Sequence, residues 1–269
     1  MGIATREAYG KALAAVGGKN NNVIVLDADL SKSTKTEVFG KAYPERFFNV
    51  GIAEQNMMGT AAGLAAAGKI PFVSTFAVFA TGRAFEQIRN SICYPKLNVK
   101  IAATHAGLTV GEDGASHQSI EDISLMRTLP NMTVIVPADG IETEKAIEFA
   151  AEYKGPCYIR LGRSNVPDLF DADYKFEIGK AVTVAEGTDV TIIATGIMVA
   201  GAKAAAEELS KEGISAGVLN IHTIKPIDSE AIIKAAEKTG CIVTCEEHSI
   251  IGGLGSAVAE VLVENNPVP

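Results

Sequence analysis

The sequence predicts an α/β protein made of two doubly wound domains with mostly parallel sheets. Three observations carry this reading. Short apolar runs alternate with longer helix-like stretches along nearly the whole chain, the alternation breaks once in the polar segment 162–174, and it then restarts. Taken in order, residues 3–16 read as helix and 23–26 (Val-Ile-Val-Leu) as a buried strand. An Ala- and Met-rich helix covers 55–67, a strand 71–76, a helix 82–92 and a strand 99–103. Helix 120–129, strand 133–136, helix 140–152 and strand 157–161 complete the first domain. The break carries Pro167, Asp168, Asp171 and Asp173, a linker composition. Beyond it come strand 190–194, helix 198–212, strand 216–219, helix 229–238, strand 241–245 and helix 254–264. The domains expected are 1–162 and 176–269, joined by a linker at 163–175. The terminal Asn265-Asn266-Pro267-Val268-Pro269 reads as a loop heading for a further strand, so a truncated second domain is also expected.

Composition narrows the function. Of 269 residues, 47% are hydrophobic and 21% charged, as in a globular soluble protein. A net charge of -8 and a pI near 5.1 argue against nucleic-acid and anionic-membrane surfaces. No apolar run approaches the length of about 18 residues that a membrane span needs, and the N-terminal sequence lacks the signal-peptide pattern, so a cytoplasmic protein is expected. Cys93, Cys157, Cys241 and Cys245 form no Cys-x-x-Cys pair and read as free thiols.

The richest segment for chemistry is 103–118. His105 and His117 bracket a loop with three glycines, Glu112 and Asp113, and the loop leaves the carboxyl end of a strand, where open α/β sheets bind ligands. Eleven flexible residues between the histidines fit a metal site poorly. Two readings stay open: imidazoles merely satisfied in a turn, or recognition of hydroxyls or phosphate. Glu54 starts a helix among Gly, Ile and Ala. It either complements the helix dipole or serves as a specific hydrogen-bonding carboxylate for a heterocycle. Phe76 and Phe79 follow a strand, as core or as a slot for a flat ring. Arg6 and Arg163 are surface cations singly; with His105 and Ser33 they could clamp phosphate.

These segments, in this order, resemble the pyrimidine-binding and C-terminal domains of the transketolase family, over nearly the whole chain. Gly51-Ile52-Ala53-Glu54-Gln55 is similar to that family's catalytic glutamate segment. Gly111-Glu112-Asp113-Gly114 followed by Ser116-His117-Gln118 is the more specific match. Asp27-Ala28-Asp29-Leu30, Pro137-Ala138-Asp139-Gly140, Glu246-Glu247-His248 and Gly252-Gly253-Leu254-Gly255 also fit.

The resemblance implies thiamine diphosphate as cofactor and ketol transfer from a ketose phosphate to an aldose phosphate. It implies that Glu54 hydrogen-bonds the aminopyrimidine and favours the imino tautomer that removes the thiazolium proton. Phe76 and Phe79 match aromatic residues around the pyrimidine, and Asp29 matches an acid near the cofactor. His117 matches a histidine at the reacting hydroxyls, and Asp113 a group on a donor hydroxyl. Arg6, Ser33, His105 and Arg163 match the sugar-phosphate clamp. Where some members carry a tyrosine six residues after Phe76, this chain has Gly82.

The family's Gly-Asp-Gly run with its downstream asparagine, which holds the diphosphate and its Mg2+ or Ca2+, does not occur here. The expectation is therefore one subunit of a split transketolase, with a partner chain carrying the diphosphate and metal site. A heterotetramer built on a self-associated dimer would follow. A β subunit of a 2-oxo acid dehydrogenase, a synthase-like relative and a non-catalytic sugar-phosphate-binding subunit are the alternatives. The phosphate clamp favours the first reading.

Overall fold

In a computed structural model, which describes residues 2–269, α1 (Thr5–Lys19) leads into β1 (Val23–Asp27), α2 (Ser31–Thr34) and α3 (Glu37–Ala42). β2 (Phe47–Asn49), α4 (Glu54–Ala66) and β3 (Ile70–Ser74) follow. The chain then winds through wide π-helical turns at Phe79–Arg83 and Ile88–Cys93, with the short α5 (Phe85–Gln87) between them. β4 (Lys100–Ala103), α6 (Asp122–Thr128), β5 (Thr133–Ile135), α7 (Gly140–Glu152) and β6 (Cys157–Arg160) complete the first half. The second half carries β7 (Val182–Ala185), β8 (Val190–Ala194), α8 (Met198–Lys211), β9 (Ala216–Asn220), β10 (Thr223–Lys225), α9 (Ser229–Thr239), β11 (Ile242–Cys245) and α10 (Leu254–Asn265).

The strands form two sheets, ordered β10-β5-β6-β4-β3-β1-β2 and β11-β8-β9-β7. Every pairing among β1 to β6 is parallel, and β8 pairs in parallel with both β9 and β11. Central strands are buried on both faces, which is why β1 and β4 read as continuous apolar runs. Lys100 is the exception inside β4. Its buried ammonium donates to the carbonyls of Tyr153 and Gly155 at 2.7 Å each, which offsets its desolvation.

One face of the large sheet packs Phe72 and Ile159 against Tyr9 and Leu13 of α1 and Ile147 of α7. On the other face, Met57 of α4, Ile88, Ile101 and Val134 share one apolar cluster with Ile232 of α9 and Leu254 and Val258 of α10. The second half thus supplies part of the first sheet's core. α8 covers the small sheet through Val199, Ala202 and Ala206.

The α/β architecture with mostly parallel sheets agrees with the sequence reading, and three strands go beyond it. β2, β7 and β10 are short strands at the edges of the two sheets, and none sits in the fully buried apolar run that marks an inner strand. β10, from the second half, pairs antiparallel with β5 at the edge of the first sheet. The helix expected over 82–92 is present but wound wide, as two π-helical turns around the short α5. The stretch between β6 and β7 has no regular element, yet it is fastened down. The Asp139 carboxylate caps α7 by accepting from Glu142 N, and it also accepts from Leu169 N and Phe170 N. Tyr174 donates to Glu142 Oε1 at 2.5 Å.

Candidate functional site

The carboxyl ends of β1, β2, β3 and β4 lie side by side, at the edge where open parallel sheets place their ligands. Asp29 follows β1 with a left-handed backbone, φ 65°. Its main-chain N and that of Gly51 (φ 73°) both donate to Asn49 Oδ1, at 3.1 and 3.0 Å. Asn49 Nδ2 donates back to Asp29 Oδ1 at 3.1 Å. One asparagine at the end of β2 therefore ties the Asp29 turn to the turn that launches α4. Behind it, the buried Asp27 carboxylate accepts from Leu30 N, Thr34 Oγ1 and Thr36 Oγ1 at 2.6–2.8 Å and fixes the 28–36 excursion. Burial raises the Asp27 pKa, and these donors oppose the rise.

Glu54 is the first residue of α4 and only 2% exposed. Both carboxylate oxygens accept from Arg83 Nη1, at 3.3 and 3.1 Å. The Arg83 guanidinium carbon lies 4.9 Å from the Phe79 ring centre. Phe79 and Phe76 are stacked 6.0 Å apart. His117 stands edge-on to both rings, 5.4 Å from Phe79 and 6.0 Å from Phe76. Its Nδ1 pairs with Ser116 Oγ at 2.9 Å. The far face of Phe76 stacks on His105 at 3.8 Å.

His105, also left-handed at φ 57°, is 2% exposed. Burial, followed by the neighbouring Arg6 charge, lowers its pKa to about 4, so the ring is neutral at physiological pH. Its Nε2 faces Arg6 Nη1 at 3.4 Å, and its Nδ1 faces Thr104 Oγ1 at 2.9 Å. An arginine can only donate, so Nε2 accepts and the ring proton sits on Nδ1, donated to Thr104. Arg6 also donates to the carbonyl of Ser33 at 3.0 Å, while its buried Nε has no partner among the described residues. Burial and the nearby Arg163 charge lower the Arg6 pKa, a sign of two cations held together. Arg163 pairs with Glu112 at 3.2 Å, and Gly111 is free of a Cβ where the guanidinium packs. Asp113 lies close enough to bear electrostatically on both Arg6 and His105.

The second half reaches this site through Glu247. Glu247 Oε1 accepts from Leu108 N and Thr109 N at 2.8 and 2.6 Å. Its carbonyl accepts from Arg160 Nη2 at 2.9 Å, and Arg160 is paired in the core with Asp122.

The ten residues singled out from the sequence thus gather around the carboxyl ends of the large sheet's strands. Asp29 and Glu54 stand at one end, Phe76, Phe79 and His117 in the middle, and Arg6, Ser33, His105, Asp113 and Arg163 at the other. Ser33 enters through its carbonyl contact with Arg6 rather than its hydroxyl. No group of three or more His, Cys, Asp or Glu side chains is arranged to hold a metal ion among the described residues. No helix among them is long and apolar enough to cross a membrane. Sequence reasoning gave no role to Asn49, Arg83 or Glu247. Arg83, four residues beyond Phe79, shares its helical face, a spacing that could have revealed it. Glu247 acts across 139 residues of chain, where no local signal exists.

Comparison with known proteins matches the transketolase pyrimidine-binding domain over residues 1–168 and the transketolase C-terminal domain over 179–268. A putative transketolase C-terminal section of Methanocaldococcus jannaschii is 56% identical over 262 residues, 97% of this chain and 82% of that protein. Human transketolase is 43% identical over 265 residues, which are 97% of this chain but 42% of the human enzyme. A solved structure described as a split-gene transketolase, an inactive β4 tetramer, superposes with a TM-score of 0.94 at 64% identity. It covers all of this chain, which spans 88% of that one.

Proposed function

The chain belongs to the transketolase family, and from that membership we propose that it is one subunit of a split transketolase dependent on thiamine diphosphate. In this reading it transfers a two-carbon ketol unit from a ketose phosphate to an aldose phosphate. A partner chain completes the active site and holds the diphosphate with Mg2+ or Ca2+, in a heterotetramer built on a dimer of this chain. The similarity to a separately described C-terminal section and to a split-gene structure supports the division between chains. The cytoplasm is the expected compartment.

The observation that carries the reading is the seat of Arg83. Its guanidinium, a planar cation with N–H donors, rests between the Phe79 ring and the buried Glu54 carboxylate. An aromatic face beside a carboxylate is what an aminopyrimidine requires, so the residues fit that half of the cofactor. When bound, the cofactor stabilises the carbanion left when the bond beyond a ketose carbonyl breaks.

The protein's own groups position and move protons around that event. Glu54 would hold a proton at the pyrimidine ring nitrogen and so set the ring's tautomer. Phe76 and Phe79 would present ring faces, and Asp29, steered by Asn49, would flank the cofactor. His117, half-buried against the phenylalanines, would take and return a proton at a substrate hydroxyl. Asp113 would accept from a donor hydroxyl. Arg6 and Arg163 would supply the charge for phosphate. Neutral His105 would orient Arg6, and the Ser33 carbonyl would fix the same guanidinium. Binding the remote phosphate provides the energy that aligns the reacting carbon.

The test mixes the purified chain and its partner with thiamine diphosphate, Mg2+, xylulose 5-phosphate and ribose 5-phosphate. Ketol transfer is expected with both chains present and not with this one alone. Full turnover by the chain alone, or pyruvate decarboxylation in place of ketol transfer, overturns the reading.

A further inference from the structure

The loop that bears Asp113 and His117 is a closed excursion with a narrow neck. Gly107 N donates to the Ser119 carbonyl at 2.8 Å, and Gln118 Nε2 donates to the Leu108 carbonyl at 3.0 Å. His105 lies just before the neck, and Arg163 packs on the loop at Gly111. From across the domain boundary, a single oxygen of Glu247 accepts two consecutive main-chain N–H groups of the neck, Leu108 and Thr109. Gly107, at φ 84°, allows this approach, because a Cβ there would collide with the Glu247 carboxyl group. Arg160 holds the Glu247 carbonyl at 2.9 Å and the Ser119 carbonyl at 3.4 Å, so the acceptor and the neck share one anchored cation. Glu247 is 9% exposed, and bonds from N–H to a shielded carboxylate are among the stronger ones a protein makes.

We propose that Glu247 is a positioning residue by which the C-terminal domain sets the sugar-phosphate end of the site. The proposal rests on the sugar-phosphate reading of that end. Glu247 touches neither cofactor nor substrate. It fixes the neck from which His105 on one side and Asp113 and His117 on the other take their places. The Glu54 end is built on different turns, held by Asn49 and Asp27, and does not depend on it. His117 is held separately, edge-on against Phe76 and Phe79, so loss of Glu247 weakens binding of the phosphorylated sugar more than it slows the chemical step.

The experiment compares Glu247→Ala, the conservative Glu247→Gln and Gly107→Ala with the unaltered chain. In the isolated chain, amide hydrogen exchange at Leu108 and Thr109 should quicken about tenfold or more in Glu247→Ala, with Gly51 and Ala53 unchanged. In the assembled enzyme, KM for xylulose 5-phosphate should rise about tenfold with kcat within about threefold. Glu247→Gln should lie between the two. Unchanged exchange at those two amides, or a fall in kcat with KM unmoved, overturns the proposal. If Glu247→Ala does not fold, Glu247→Gln and Gly107→Ala carry the same test. If the assembled enzyme transfers no ketol unit, the functional reading falls by itself. Binding of inorganic phosphate to the isolated chain then decides this proposal: about tenfold weaker binding in the Glu247 variants supports it, and equal binding overturns it.

Discussion

Arg83 donates from one nitrogen to both oxygens of the buried Glu54 carboxylate, while its side chain is 51% exposed to solvent. The pair is lopsided: the anion is locked into α4 and the cation can leave. A buried carboxylate needs a counter-charge, and a half-exposed guanidinium supplies one that another planar donor can replace.

Replacing Arg83 with Met leaves Glu54 without its cation. Because Arg83 is half in solvent, the cost should be about 1–3 kcal/mol rather than that of a fully buried pair. Urea denaturation of Arg83→Met, Glu54→Gln and the double variant measures it. The double variant should be more stable than the two single effects sum to. Strict additivity would mean that the contact contributes nothing.

Glu54→Ala, assembled with the partner, should lower kcat by several orders of magnitude while leaving the fold intact. Steady-state rates beside a circular dichroism melt separate the two effects. Near-normal turnover would remove Glu54 from the chemistry.

Arg163→Ala should raise KM for phosphorylated sugars about tenfold or more and leave unphosphorylated analogues little changed. The loss belongs to uniform binding of a remote charge. An equal loss on both classes of sugar would take Arg163 out of the clamp.

Stability should respond to pH through groups of opposite sign. His105 and His222 both have pKa values lowered to about 4, chiefly by burial. As pH falls from 6.5 toward 4, the unfolded chain gains protons that these rings refuse, so stability is lost with acid. Burial raises the pKa of Glu142 to about 7, with donors from Tyr174, Ala138 and Asn220 opposing the rise. The unfolded chain ionises this group first, so its contribution is present below about pH 4.5 and lost as pH rises through about 7. Glu142→Gln, whose amide nitrogen cannot accept from Ala138 N, should cost stability overall but abolish this fall between about pH 4.5 and 7. His105→Gln should lose less in acid. Urea midpoints across that range check both signs.

Much of this was legible in the sequence because parallel sheets leave local marks. Fully buried strands such as β1 and β4 are continuous apolar runs, and the glycine-rich loop after β4 marked a candidate ligand site. The titratable residues collected there follow from strand order alone. What stayed hidden depends on contacts distant in the chain. β10 is three residues long and gains its structure from β5, and Glu247 gains its role from Leu108 and Thr109. The wide turns at Phe79–Arg83 and Ile88–Cys93 escaped because their helical pattern resembles an ordinary helix.

β10 has a consequence for how the chain can be cut or copied. Without it, β5 would present a bare row of main-chain donors and acceptors along the margin of the large sheet, an invitation to pair with any stray strand. The two family domains are thus neighbours that cannot be parted cleanly. A fragment ending near residue 175 would be expected to aggregate, and the intact chain to melt in one cooperative step rather than two.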